Sequence, residues 1–159
     1  MTKTQRRHNS RPDLCERMQT QGEQITMPIT ALFAGLLAPI LLLLIIRVIV
    51  HRRAQRVEIG DGNDRELLRR MRVHANFIET APFVLILMGL AESLRAPSIA
   101  LYAVGALLLV GRLLHAYGLS QTPHIMRLRV VGMTLTLISI AGGAILCLAQ
   151  YASLFVMRP

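Results

Sequence analysis

The chain has 159 residues, 53% of them hydrophobic and 17% charged, with a mean hydropathy of +0.47 and a formal net charge of +9. Its apolar residues fall in long unbroken blocks, which excludes a water-soluble domain of striped helices and, since short alternating segments are missing, a transmembrane barrel. The Lys and Arg residues lie mostly outside those blocks, where membrane topology accounts for them, and 4% aromatic content without a recognition motif sets nucleic acid aside.

Residues 1–26 are polar, basic and poor in large apolar side chains, the composition of a disordered leader. They do not read as a signal peptide, because the charged region and the apolar run after it are both too long. Met27, directly before the first apolar block, is a second candidate start. Residues 27–159 hold four predicted spans, each near the roughly 20 residues that cross a bilayer. These are about 28–50, 74–95, 97–119 and 130–156, an all-α integral membrane four-helix bundle.

Within the first span Pro39 predicts a kink, as Pro82 does within the second. Between those spans Gly60-Asp61-Gly62 marks a turn, and Asn63 with Glu66 resembles a capping box opening a helix that runs into the second span. The Asp61-Gly62-Asn63-Asp64 cluster is not a calcium loop, because Arg72 stands where a closing bidentate Glu belongs. Glu92 and Arg95 are spaced to pair at the far end of the second span. Gly105, Gly111, Gly142 and Gly143 predict close helix approach. Cys15 in the leader and Cys147 deep in the fourth span predict no disulfide.

The first connection is rich in arginine (Arg47, Arg52, Arg53, Arg56, Arg65, Arg69, Arg70, Arg72), and the third holds Arg127 and Arg129. The positive-inside bias therefore predicts that both are cytoplasmic. At that same face sit the unusual polar residues. Arg72, Asn76 and Glu79 share one helical face at i, i+4, i+7; Arg112 and His115 lie in the last two turns of the third span; Arg129 opens the fourth. A charge at the hydrocarbon centre costs about 2.5–3.5 kcal/mol, so Glu79 is expected to find Arg112 or Arg72. Polar groups on three helices at one depth exceed what packing requires, and their excess of Arg and His suits an anionic ligand.

Arg72-x-His74-x-Asn76-x-x-Glu79-x-x-Pro82, Gly111-Arg112-x-x-His115 and Arg129-x-x-Gly132 resemble the MAPEG family, the membrane-associated proteins of eicosanoid and glutathione metabolism, in its small bacterial branch. The resemblance covers about Pro28 to Val156. It implies a homotrimer in the inner membrane with glutathione as co-substrate, held between subunits near the cytoplasmic face. Arg72, Asn76, Glu79, Arg112 and His115 would bind it, and Arg129 would be catalytic, beside the sulfur. Several enzymes of the family have Arg where this chain has Ala75, and Tyr where it has Leu119. The expected activity is a glutathione transferase or peroxidase acting on a hydrophobic molecule from the bilayer. The alternative is a membrane protein of the same fold that binds lipid or glutathione without chemistry. A small transporter is a third reading, disfavoured by charges gathered on one side.

Overall fold

The computed structural model describes residues 26–120 and 126–156; the leader assigned to 1–26, Cys15 included, lies outside the described residues except for Thr26. Among the described residues every regular element is an α-helix: α1 Pro28–Gln55, α2 Arg65–Ser93, α3 Ser98–Ser120 and α4 Met126–Val156. Each contains a stretch long and apolar enough to span a bilayer. In lipid the backbone must bond within itself, and four continuous helices meet that demand. Both α1 and α2 run on through Pro39 and Pro82.

The helices reach beyond the apolar blocks at the end that carries the basic connection. There α1 stops at Arg56, left-handed at φ 54°, and the Val57 N–H donates to the Arg52 carbonyl at 3.0 Å. The chain turns through Gly60 (φ 76°) and Gly62 (φ 58°), conformations that glycine adopts without a steric penalty. The cap of α2 is then Asp64, one residue later than expected. Asn63 takes a left-handed φ of 61°, so Asp64 Oδ1 is what accepts from the N–H groups of Glu66 (2.8 Å) and Leu67 (3.3 Å). The other oxygen of Asp64 lies 2.7 Å from His51 Nε2 on α1. That contact first, and the backbone bonds after it, hold the carboxyl below its ordinary range.

At the opposite end Glu92 caps α1. Its two oxygens accept from the N–H groups of Ile29 and Thr30, each at 2.8 Å. Met27 supplies no side-chain cap, and free donors at a helix start in lipid need an acceptor, which α2 provides from 62 residues away.

In cross-section α2 and α3 touch along the middle, with α1 on one flank and α4 on the other; α1 and α4 do not meet. Phe33, Leu37 and Leu44 of α1 pack with Val73, Phe77, Val84 and Met88 of α2 and Leu101, Val104 and Leu108 of α3. The closest pairing is α3 with α4, made through small residues. A Cβ on Gly132 would stand 2.5 Å from the His115 backbone nitrogen, and one on Gly111 2.9 Å from the Gly132 carbonyl oxygen. Ser139 donates to the Val104 carbonyl at 3.0 Å just along the seam. Large apolar side chains such as Leu43, Ile86, Leu113, Ile145 and Leu148 are exposed around the outside, as hydrocarbon solvent permits.

Candidate functional site

The α3–α4 backbone contact at Gly111 and Gly132 fixes where the polar side chains can go. One turn beyond it, His115 Nδ1 meets the Arg129 carbonyl at 3.4 Å. A carbonyl only accepts, so Nδ1 carries the hydrogen and Nε2 has no protein partner among the described residues. His115 is 4% exposed.

Arg112 is 1% exposed and lies against α2. One terminal nitrogen donates to Asn76 Oδ1 at 2.7 Å; the other donates to the Asn76 carbonyl at 3.2 Å and to Thr80 Oγ1. Thr80 in turn donates to the Asn76 carbonyl at 2.8 Å, and the guanidinium carbon sits 5.7 Å from the centre of the Phe77 ring. Arg112 is therefore spent on fixing Asn76, and Glu79 does not receive it. Arg72 does not meet Glu79 either, since two helical turns, about 10 Å of rise, separate them. The charge of Glu79 is tolerated because the side chain is exposed on the wall of a cleft rather than sealed in the core.

That cleft has a volume of about 400 Å³, within the usual range of small-molecule sites, and lies between the α2 face and the facing ends of α3 and α4. Leu68, Arg69, Arg72, Ala75, Asn76, Glu79, His115 and Arg129 line it. Of the six residues expected from the sequence, Arg72, Asn76, Glu79, His115 and Arg129 line this one space, while Arg112 stands behind it, holding Asn76. Three guanidinium groups face one carboxylate. Neither Glu79 nor the side chains of Arg72 and Arg129 have a hydrogen bond or ion pair among the described residues. An adjoining cavity of about 530 Å³ shares Asn76, His115 and Arg129 but is otherwise lined by α4 residues Met126, Val130, Met133 and Thr134, mostly apolar. Among the described residues no cluster could hold a metal ion.

The model of the MAPEG family matches residues 30–149, a range that contains every one of these side chains. The chain belongs to the MAPEG family. It is 35% identical over 108 residues to the inner membrane protein YecN of Escherichia coli strain K12, covering 68% of this chain and 81% of that protein. YecN of Escherichia coli O6:H1 matches with the same figures.

Ala75 lines the cleft where several MAPEG enzymes carry Arg, so this one position contributes no cation to the wall. The side chain of Leu119, the other departure, lies outside the described residues. Arg69 is the lining residue that motif reasoning passes over, having counted it only as a topological charge. The signal was present in its spacing, since 69, 72, 76 and 79 form one stripe of α2.

Proposed function

We propose that this MAPEG protein is a glutathione-dependent transferase or peroxidase of the inner membrane, drawing a hydrophobic substrate from the bilayer. The observation that carries this reading is the set of unpartnered charges, Arg72, Arg129 and Glu79, on one cleft wall. Unpaired charges at this depth are costly unless a ligand or water meets them. Glutathione has two carboxylates, one ammonium and a thiol, which matches a wall of several guanidiniums and one carboxylate.

In this reading Glu79 takes the ammonium, Asn76, held by Arg112, and His115 bind the neighbouring polar groups, and Arg72 takes a carboxylate. Arg129 stabilises the thiolate. A thiol with a pKa around 8.5 is mostly protonated at neutral pH, and an adjacent guanidinium raises its thiolate fraction. The apolar cavity along α4 admits the second substrate beside that sulfur. An electrophilic carbon gains a carbon–sulfur bond there as it expels its leaving group, or as an activated double bond opens and takes up a proton; a lipid hydroperoxide is reduced to its alcohol and water as two glutathione thiols are oxidised to the disulfide. In this reading the basic first and third connections face the cytoplasm, the side the positive-inside bias favours, and a homotrimer sets the cleft between protomers.

The test is thermal unfolding of the detergent-purified protein with millimolar glutathione, together with thiolate absorbance near 240 nm. Stabilisation by several degrees is expected, with Glu79→Gln weakening binding and Arg129→Ala removing the thiolate signal while leaving much of the stabilisation. No shift with glutathione would refute the reading. Ala75 favours a second one, a binding protein without chemistry; stabilisation with no thiolate signal and no turnover selects it.

A further inference from the structure

The cavity along α4 holds a reactive group that the glutathione reading leaves unused, the thioether of Met133. A guanidinium only donates, so the bond from Arg112 to Asn76 Oδ1 at 2.7 Å turns the amide nitrogen of Asn76 away from Arg112. That nitrogen, Nδ2, donates across to Met133 Sδ on α4 at 3.9 Å and engages one lone pair of the sulfur. The second lone pair is free, and a thioether takes up one oxygen to become the sulfoxide. Other methionines stand differently. Met88 is sealed in the core, and Met71 meets Arg52 Nη2 at 3.3 Å. Met133 is half-buried, on the wall of the 530 Å³ cavity.

Two further lining groups suit oxygen transfer. His115 Nδ1 is held by the Arg129 carbonyl, so Nε2 is an acceptor without a protein partner among the described residues. The Arg129 guanidinium, likewise unpaired there, is a donor. An acceptor, a donor and an oxidisable sulfur on a mostly apolar wall match an organic hydroperoxide, with its apolar body, one O–H and a second oxygen. We propose that Met133 is an oxygen-accepting site, which reduces an apolar hydroperoxide without any thiol. Its free lone pair attacks the distal oxygen and the O–O bond breaks. The alkoxide leaves against Arg129 and takes the proton of the distal oxygen, relayed through Nε2 of His115. The products are methionine sulfoxide and the alcohol, the sulfur giving up the two electrons that the peroxide gains. Each protomer reacts once, until a methionine sulfoxide reductase restores the thioether. No glutathione takes part, and the step is independent of the glutathione reading.

The test treats the full chain in detergent, free of glutathione, with cumene hydroperoxide or with hydrogen peroxide. Peptide mass spectrometry follows the oxygen gained at each methionine, and chromatography follows the cumyl alcohol. Exposure alone ranks Met27, 38% exposed at the opposite end of the bundle, above half-buried Met133. With cumene hydroperoxide the reverse is expected: Met133 several-fold ahead of Met27, with one alcohol formed per sulfoxide. The lead should shrink with hydrogen peroxide, which gains nothing from an apolar wall. Arg129→Gln should slow Met133 several-fold and leave Met27 unchanged, and Arg129→Lys should keep part of the rate. Val130→Phe, at an exposed lining position, should slow Met133 by filling the cavity; melting curves confirm that each variant is folded. Oxidation that follows exposure, an equal lead with both oxidants, or a Met133 rate indifferent to the Arg129 and Val130 substitutions overturns the assignment. If Met133 leads as expected while glutathione fails to stabilise the protein, this site stands and the glutathione reading falls.

Discussion

Arg112 is the residue on which the cleft's geometry turns, though it does not line the wall. A guanidinium taken out of water is tolerated only where its donors are met, and two of its three nitrogens bond to Asn76 and Thr80 while Nε is buried without a partner. The planar fork fixes both the side-chain oxygen and the carbonyl of Asn76, which a lysine ammonium cannot do from one point. Arg112→Lys should leave the helices intact and loosen Asn76. We expect glutathione affinity to fall several-fold, with protein stability lower by about 1–3 kcal/mol because acceptors of Asn76 and Thr80 lose donors. Denaturation in mild detergent and a ligand titration report the two effects separately. If stability falls while affinity is unchanged, Asn76 is not a ligand contact.

At the scale of elements, the α3–α4 seam at Gly111 and Gly132 carries His115 and Arg129 to their places. Gly132→Ala puts a methyl against the His115 backbone, which cannot rotate away, so the helices must separate. The gain in helix propensity, up to about 1 kcal/mol, is outweighed by an overpacking cost of about 1–3 kcal/mol. A lower melting temperature and weaker glutathione binding are expected, whereas Gly35→Ala, whose methyl would meet nothing within 4 Å, should be neutral or slightly stabilising. Unchanged melting of the Gly132 variant would show that the seam is softer than this contact implies. Much at this scale was legible in the sequence, because hydropathy over a span and spacing on a helical face are local properties. The four helices and the stripe Arg72, Asn76, Glu79 follow from them. What was not legible depends on contacts between distant segments. Only the packed helices decide that Arg112 turns to Asn76 rather than Glu79, and that Glu92 caps a helix 62 residues away. Asn63 and Asp64 are both good caps by composition, and the left-handed φ of Asn63 chose between them.

For the whole molecule, the decisive property is an open flank. α1 and α4 do not touch, and apolar side chains are exposed along the bundle, Leu42, Leu43 and Ile46 on α1 among them. Such a surface suits lipid, and it equally suits another copy of the chain. Arg72 and Glu79 on the cleft wall are themselves exposed in the lone protomer. A second copy laid over them would exclude solvent and strengthen every contact with a bound anion, since interaction energy rises as the effective dielectric falls. Glutathione affinity should therefore depend on assembly. Crosslinking in mild detergent is expected to give trimers that bind, and dissociation by a harsher detergent should cost at least about ten-fold in affinity before the helices melt, followed by circular dichroism. Ligand binding should in turn protect the trimer, because whatever binds the assembled form preferentially shifts the equilibrium towards it. Folded monomers that bind glutathione as tightly as trimers would show that one chain completes the cleft.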